Sequence, residues 1–203
     1  MSKNEQEIEV KFLVRDLAAI AARLDRLGAR ISAPRVHETN LRFDTPDGAL
    51  TQARRVLRLR QDAASVLTYK APAAPGEEVS VRQEIEFTVS DFQSARHFLE
   101  ALGYQVSVTY EKYRTMYALN DLVVTLDEMP FGSFIEIEGP DAASIQAAAA
   151  DLRLDWAARS VASYLALFDQ LCAARGLAAQ NLTFAELEGV DVSPEDLGLR
   201  YVD

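Results

Sequence analysis

Glu7-Ile8-Glu9-Val10-Lys11-Phe12-Leu13-Val14 is a stretch with two chemistries in strict alternation. In an extended strand, residues two apart share a face, so Glu7, Glu9 and Lys11 point one way while Ile8, Val10 and Phe12 point the other. One side is wholly charged and the other wholly apolar. The same split returns in Arg58 and Arg60 against Leu57 and Leu59, and in Arg82, Glu84 and Glu86 against Val81, Ile85 and Phe87. It returns again in Lys112 and Arg114, and in Glu136 and Glu138 against Ile135 and Ile137. Thr68 with Lys70, and Thr125 with Asp127, complete the set.

Working outward, residues 8–14 read as a strand. Leu17, Ile20, Leu24 and Leu27 then recur at helical spacing until Gly28. Strand-like runs follow near 36–44, 55–61, 65–71 and 79–89, divided by turn signals at Pro46-Asp47-Gly48, Gln61-Asp62 and Pro72 to Gly76. Ser90 or Asp91 caps a second helix that Gly103 closes. Strands near 105–118, 121–128 and 133–138 come next. An Ala-rich helical block spans 141–176, with a break at Leu152-Arg153-Leu154 and Ser160 opening its last helix. Residues 177–203 read as a short helix and an acidic tail contributing −5 of the net charge, which gives a main domain over 1–176 and an extension over 177–203.

An ordinary antiparallel sheet with one wetted face gives the same alternation. Two features point elsewhere. The polar positions are Glu and Arg nearly throughout, where a solvated face mixes in Thr, Ser and Gln. Arginine also recurs where lysine would serve solubility, and its planar fork suits phosphate oxygens held in fixed geometry. A triphosphate needs several cations around it, and its hydrolysis or transfer needs a hard divalent ion on oxygen ligands. Glu7 and Glu9, one pleat apart, can share such an ion with Glu136 or Glu138 from another strand. Mg²⁺ or Mn²⁺ is expected, since no Cys or His cluster suggests zinc or a redox metal. So many charges on one face are tolerable if opposite signs interleave and the sheet closes into a barrel around water or substrate.

The whole chain sets bounds on this reading. Its 203 residues suffice for one well-buried core. The net charge of −10 disfavours nucleic acid as a partner, although a concave site can still gather positive charge locally. No apolar run is long enough for a membrane span, and the first residues carry no secretory pattern, so the expected compartment is the cytoplasm. Cys172 reads as a buried thiol without chemistry and His97 as a surface residue of a helix. His37 precedes Glu38 on the second strand and is considered for the mouth of the site, while Trp156 is expected to anchor a helix. A homodimer is left open.

The chain resembles the CYTH family, the group of class IV adenylyl cyclases and thiamine triphosphatases also called triphosphate tunnel metalloenzymes. The family's Glu-x-Glu-x-Lys signature stands as Glu7-Ile8-Glu9-Val10-Lys11. In order after it come Phe43-Asp44-Thr45-Pro46-Asp47-Gly48, Leu57-Arg58-Leu59-Arg60, Leu67-Thr68-Tyr69-Lys70 and Arg82-Gln83-Glu84-Ile85-Glu86. Lys112-Tyr113-Arg114, Leu126-Asp127-Glu128, Gly132-Ser133-Phe134-Ile135-Glu136-Ile137-Glu138 and Ser163-Tyr164 continue it. The resemblance implies an α+β fold: an eight-stranded antiparallel β-barrel open as a tunnel, with helices packed outside. It assigns Glu7, Glu9, Asp127, Glu136 and Glu138 to metal, and Lys11, Arg58, Arg60, Lys70, Arg82, Lys112 and Arg114 to substrate phosphate. Glu7, Glu9, Lys11 and Lys70 form the catalytic group, with Glu84 as an ion-pair partner and Glu86 as either such a partner or a ligand of a second metal. The implied activity is metal-dependent hydrolysis of a small triphosphate such as tripolyphosphate, thiamine triphosphate or a nucleoside triphosphate. The alternatives are cyclisation of ATP and polyphosphate binding without turnover. Two departures stand out: Thr39-Asn40-Leu41-Arg42-Phe43 lacks the Tyr that some members pair with a tunnel Lys, and Lys3-Asn4-Glu5-Gln6 lacks the His-Phe of the cyclases.

Overall fold

The computed structural model describes residues 6–72 and 80–203. Eight strands are present: β1 (Gln6–Val14), β2 (Arg30–Asp44), β3 (Val56–Gln61), β4 (Ser65–Pro72), β5 (Ser80–Val89), β6 (Gln105–Leu119), β7 (Leu122–Met129) and β8 (Gly132–Glu138). They close into an antiparallel barrel in the ring order β1-β5-β4-β3-β2-β6-β7-β8. Closure leaves the charged faces turned inward and removes the sheet's edges. The expected connection at 72–76 lies, Pro72 apart, outside the described residues.

Helices α1 (Leu17–Arg26), α2 (Ala49–Gln52), α3 (Phe92–Ala101), α4 (Ala142–Asp151) and α5 (Tyr164–Arg175) pack around the barrel. Asp16, Asp91, Asp141 and Ser163 cap α1, α3, α4 and α5, each accepting a bond from a first-turn backbone N–H. The outward residues of β1, β7 and β8, among them Val10, Phe12, Val124 and Ile137, form one core with Ile20 and Leu24 of α1 and Ile145 of α4. Phe92 and Leu99 of α3 make a second core with Leu41, Phe43 and Leu59. Trp156 packs on Phe12 with ring centroids 6.2 Å apart, as an anchor should.

Four local expectations change. The second strand begins at Arg30, six residues early, and its register shifts around Ala33 and Val36 let Pro34 sit in a paired strand. Ala49–Gln52 is helical, because Asp44 accepts bonds from the N–H groups of Leu50 and Thr51 and from the Thr51 hydroxyl. Ser160 opens no helix; its backbone exchanges two hydrogen bonds with Lys11, at 2.9 and 2.8 Å, and Ser163 caps α5 instead. Beyond α5 the described chain has only a short 3-10 turn at Pro194–Leu197 and lies against the body. Leu182, Leu187 and Leu197 join Tyr164, Leu167, Phe168 and Leu171 in a third core.

That third core also contains Leu13, Met129 and Phe134. These lie two residues from Lys11, Asp127 and Glu136 and share their face, so they are inward-facing residues at one end of the barrel. Helix α5 therefore fills that end beside β1, β6, β7 and β8 with apolar side chains. No helix among the described residues is long and apolar enough to cross a membrane.

Candidate functional site

Strand register explains which charges meet. β1 lies beside β8 with Glu9 opposite Glu138 and Lys11 opposite Glu136, so three carboxylates and one lysine share a patch of wall. β1 lies beside β5 with Glu7 opposite Arg82. Lys70 of β4 has Glu84 of β5 opposite it and reaches across to Glu7 at 2.5 Å, with Glu84 at 3.4 Å. The Lys11 ammonium is buried 2.5 Å from Glu9 and 3.2 Å from Glu136. Each lysine is thus held between two carboxylates.

The opposite wall is built from β2, β3 and β6. Lys112 stands 3.2 Å from Asp127 and 3.5 Å from Glu38. Arg114 grips Asp127 through two bonds, at 2.6 and 2.5 Å, and reaches Glu136 at 3.4 Å. Arg58 is placed by Thr68 at 3.1 Å and the Tyr110 hydroxyl at 3.3 Å, with Glu86 at 3.5 Å. Arg60 lies between Glu38, Asp62 and Glu86. The structure thus brings the phosphate-binding candidates onto one inner surface, with Arg82 opposite Glu7.

The carboxylates divide by their surroundings. Burial works against ionisation of Glu38, but Lys112, Arg114 and Arg58 outweigh it and hold the group down at about 2. Burial opposes Glu136 too, yet Lys11, Arg114 and Lys112 keep it well below the usual carboxylate range. Glu7 and Glu9 are pushed up, chiefly by burial, with added repulsion from neighbouring glutamates. Glu138 rises to about 7, through burial and then the charges of Glu7, Glu136, Glu9 and Glu84.

Among the described residues, no group of three or more Asp, Glu, His or Cys side chains is gathered for a metal ion. The donor chemistry nevertheless fits one. Glu7, Glu9, Glu136 and Glu138 are hard oxygen donors on two adjacent strands, and burial, with mutual repulsion added to it, holds three of them above their usual range. A divalent cation relieves that repulsion. Asp127, expected as a metal ligand, has both oxygens engaged: Oδ1 by Arg114, and Oδ2 by Arg114, Lys112 and the Tyr164 hydroxyl at 2.8 Å.

Several inward residues escape the alternation argument. Glu38, Asn40 and Arg42 share a face of β2, and Asn40 donates to Glu38 at 2.9 Å. Their polar outward neighbour Thr39 blurs the pattern. Tyr110 and Tyr164 also line the interior, the ring of Tyr164 lying 5.5 Å from the Lys11 ammonium and 5.4 Å from that of Lys112. Tyr164 comes from a helix, where a period of two says nothing. His37 is turned outward, stacked with Tyr113 and Phe184, and His97 is exposed. Cys172 is half-buried, and burial raises its thiol's pKa.

The eight strands form a closed antiparallel barrel whose interior interleaves acidic clusters with basic side chains from most of its strands. The sequence pattern of the CYTH domain matches residues 5–159, and the chain belongs to the CYTH family. A candidate adenylate cyclase from Vibrio parahaemolyticus has the same fold, with a TM-score of 0.73, 23% identity, and 82% of this chain aligned to 99% of that one. A protein from Pyrococcus horikoshii aligns with a TM-score of 0.67 and 25% identity over 79% of this chain and 98% of its own. A protein from Hippeastrum, named an adenylyl cyclase candidate but with a dominant triphosphatase activity, aligns with a TM-score of 0.61 and 22% identity over 80% and 95%. Among curated protein sequences, none matches the chain.

Proposed function

We propose that the chain is a metal-dependent triphosphatase acting on a small linear triphosphate held inside the barrel. The observation that carries this reading is the placement of Lys11 and Lys70, whose ammonium groups are each held between two carboxylates inside the barrel. Glu7, Glu9, Glu136 and Glu138 would hold Mg²⁺ or Mn²⁺, and the Lys11 and Lys70 ammonium groups would turn to the phosphate oxygens. Bound there, the ion supplies Lewis-acid neutralisation of phosphoryl charge. Arg58, Arg60, Arg82, Lys112 and Arg114 hold the rest of the chain in line through charge-assisted bonds. Asp127 acts as the anchor that fixes Lys112 and Arg114, with Tyr164 fixing Asp127.

Buried side-chain atoms left without a hydrogen-bond partner support an interior suited to a polar guest. Those found are on Glu38, Asn40, Arg42, Arg58, Arg60 and Thr125, all inward-facing. The test is to incubate purified protein with tripolyphosphate, thiamine triphosphate and ATP, with Mg²⁺, with Mn²⁺ or with EDTA, and to separate the products. Orthophosphate released only with a divalent cation is the expected result. Cyclic AMP with pyrophosphate would replace this reading with a cyclase, and binding without any product would replace it with a polyphosphate-binding module.

A further inference from the structure

The ring of strands closes between β1 and β5 through four residue pairs, Gln6 to Glu9 of β1 opposite Gln83 to Ser80 of β5. Past that contact β5 continues as Glu84-Ile85-Glu86-Phe87-Thr88-Val89, paired on one side with β4. On the other side these residues have no strand partner among the described residues. A free strand edge offers unused N–H and C=O groups to another strand. Ile85 and Phe87, on the outward face of the same stretch, are 50% and 54% exposed.

Tyr69 stands opposite Ile85 and Leu67 opposite Phe87, so four aliphatic and aromatic side chains form one outward patch across β4 and β5. No outward residue of these two strands is charged among the described residues, in a chain of net charge −10. Glu84 and Glu86 point inward, 3.4 Å from Lys70 and 3.5 Å from Arg58, and do not guard the edge. Two copies of so acidic a chain repel each other, and they approach at least cost where charge is absent. The edge is also self-complementary. With a two-fold axis at Phe87, an antiparallel second copy sets Ile85 opposite Val89, Glu86 opposite Thr88 and the two Phe87 rings together. An axis at Ile85 or Glu86 sets glutamate against glutamate instead.

We propose that this edge of β5 is a homodimer interface, in which Glu84 to Val89 of two copies pair as antiparallel strands about Phe87 and join two barrels into one continuous sheet. Backbone hydrogen bonds fix the register, and the outward apolar row of each copy is withdrawn from water beside that of its partner. The interface lies outside the barrel and needs nothing from the triphosphatase reading.

Sedimentation velocity reads the association directly. The wild type moves toward about twice its 22.5 kDa mass as the concentration rises from about 1 to about 100 µM. Phe87→Lys, which sets two cations face to face on the axis, weakens the dimer about tenfold or more, and the dilute variant keeps the thermal midpoint of the dilute wild type. A second variant works even where Phe87→Lys fails to fold. Phe87→Cys, under a mild oxidant, yields a disulfide-linked dimer, because residues opposed across an antiparallel pair are within bridging distance. Gln83→Cys, on the same face but away from the axis, yields none, and the wild type with its lone Cys172 is the blank. A wild type that stays monomeric at about 100 µM overturns the proposal. So does a dimer that Phe87→Lys leaves intact and Phe87→Cys does not link, or one linked equally through Gln83→Cys. A monomer whose Phe87→Lys variant melts well below the wild type assigns the edge to another segment of the same chain, and overturns it too.

Discussion

Asp127 and Glu138 are both inward-facing carboxylates of the same barrel, on neighbouring strands, yet they live under opposite electrostatics. Asp127 is fully buried and surrounded by Arg114, Lys112 and the Tyr164 hydroxyl. Glu138 has no ion pair among the described residues and faces Glu9 across the strand pair, with Glu7, Glu136 and Glu84 adding to the repulsion. Burial pushes Glu138 up and the neighbouring glutamates push it further, whereas the cations around Asp127 offset the cost of burying its charge. One group is satisfied by the chain's own cations. The other is left among carboxylates, with no cation partner among the described residues.

The comparison is broken most severely at Asp127. Asp127→Asn keeps the shape but leaves Lys112 and Arg114 buried with their main counter-charge gone, and the loss is about 3–5 kcal/mol of folding stability, read from urea denaturation. A midpoint equal to the wild type's would show that Asp127 is no anchor. Next in size, Glu9→Gln removes a carboxylate from the unsatisfied group. Metal-dependent turnover falls about a hundredfold or more while the fold persists, with far-UV circular dichroism as the control. Unchanged turnover in this variant would take the β1 carboxylates out of the mechanism.

The smallest effect is a pH dependence with a definite sign. Glu7, Glu9 and Glu138 have folded pKa values raised above those of the unfolded chain. Their contribution to stability is complete below the ordinary carboxylate range and is lost as pH climbs through the Glu138 value of about 7. In EDTA the thermal midpoint therefore falls by a few degrees between about pH 5 and about pH 8. Glu138→Gln flattens that fall, and Mg²⁺ or Mn²⁺ reverses it in the wild type. A midpoint that rises over this window, in EDTA, contradicts the assignment. Glu38 and Glu136 act in the other direction, contributing above the ordinary range and losing that contribution only as pH falls through their depressed values.

Much of this was legible in the chain before any coordinates. The period of two in Glu7-Ile8-Glu9-Val10-Lys11 marks one charged face, and the strand-like runs of the sequence number eight, as found. Pairing across strands was not legible. That Glu9 meets Glu138 while Lys112 meets Glu38 depends on register, which turns and bulges set at a distance. The inward face of β2 stayed hidden because Thr39 offers no apolar contrast, and Tyr164 because it enters from a helix. Asp127 illustrates the limit most clearly: a carboxylate on the charged face reads as a ligand until the arginine and lysine of the next strand are seen to hold it.

Helix α5 and the residues after it bear on the order in which the molecule is built. All eight strands precede residue 139, but the hydroxyl that completes the Asp127 cluster belongs to Tyr164, and the apolar filling beneath it extends to Leu197. During synthesis the barrel can pair its strands before its interior charges are fixed. The cation wall is complete only with the final helix in place, since that helix supplies the tyrosine bonded to Asp127.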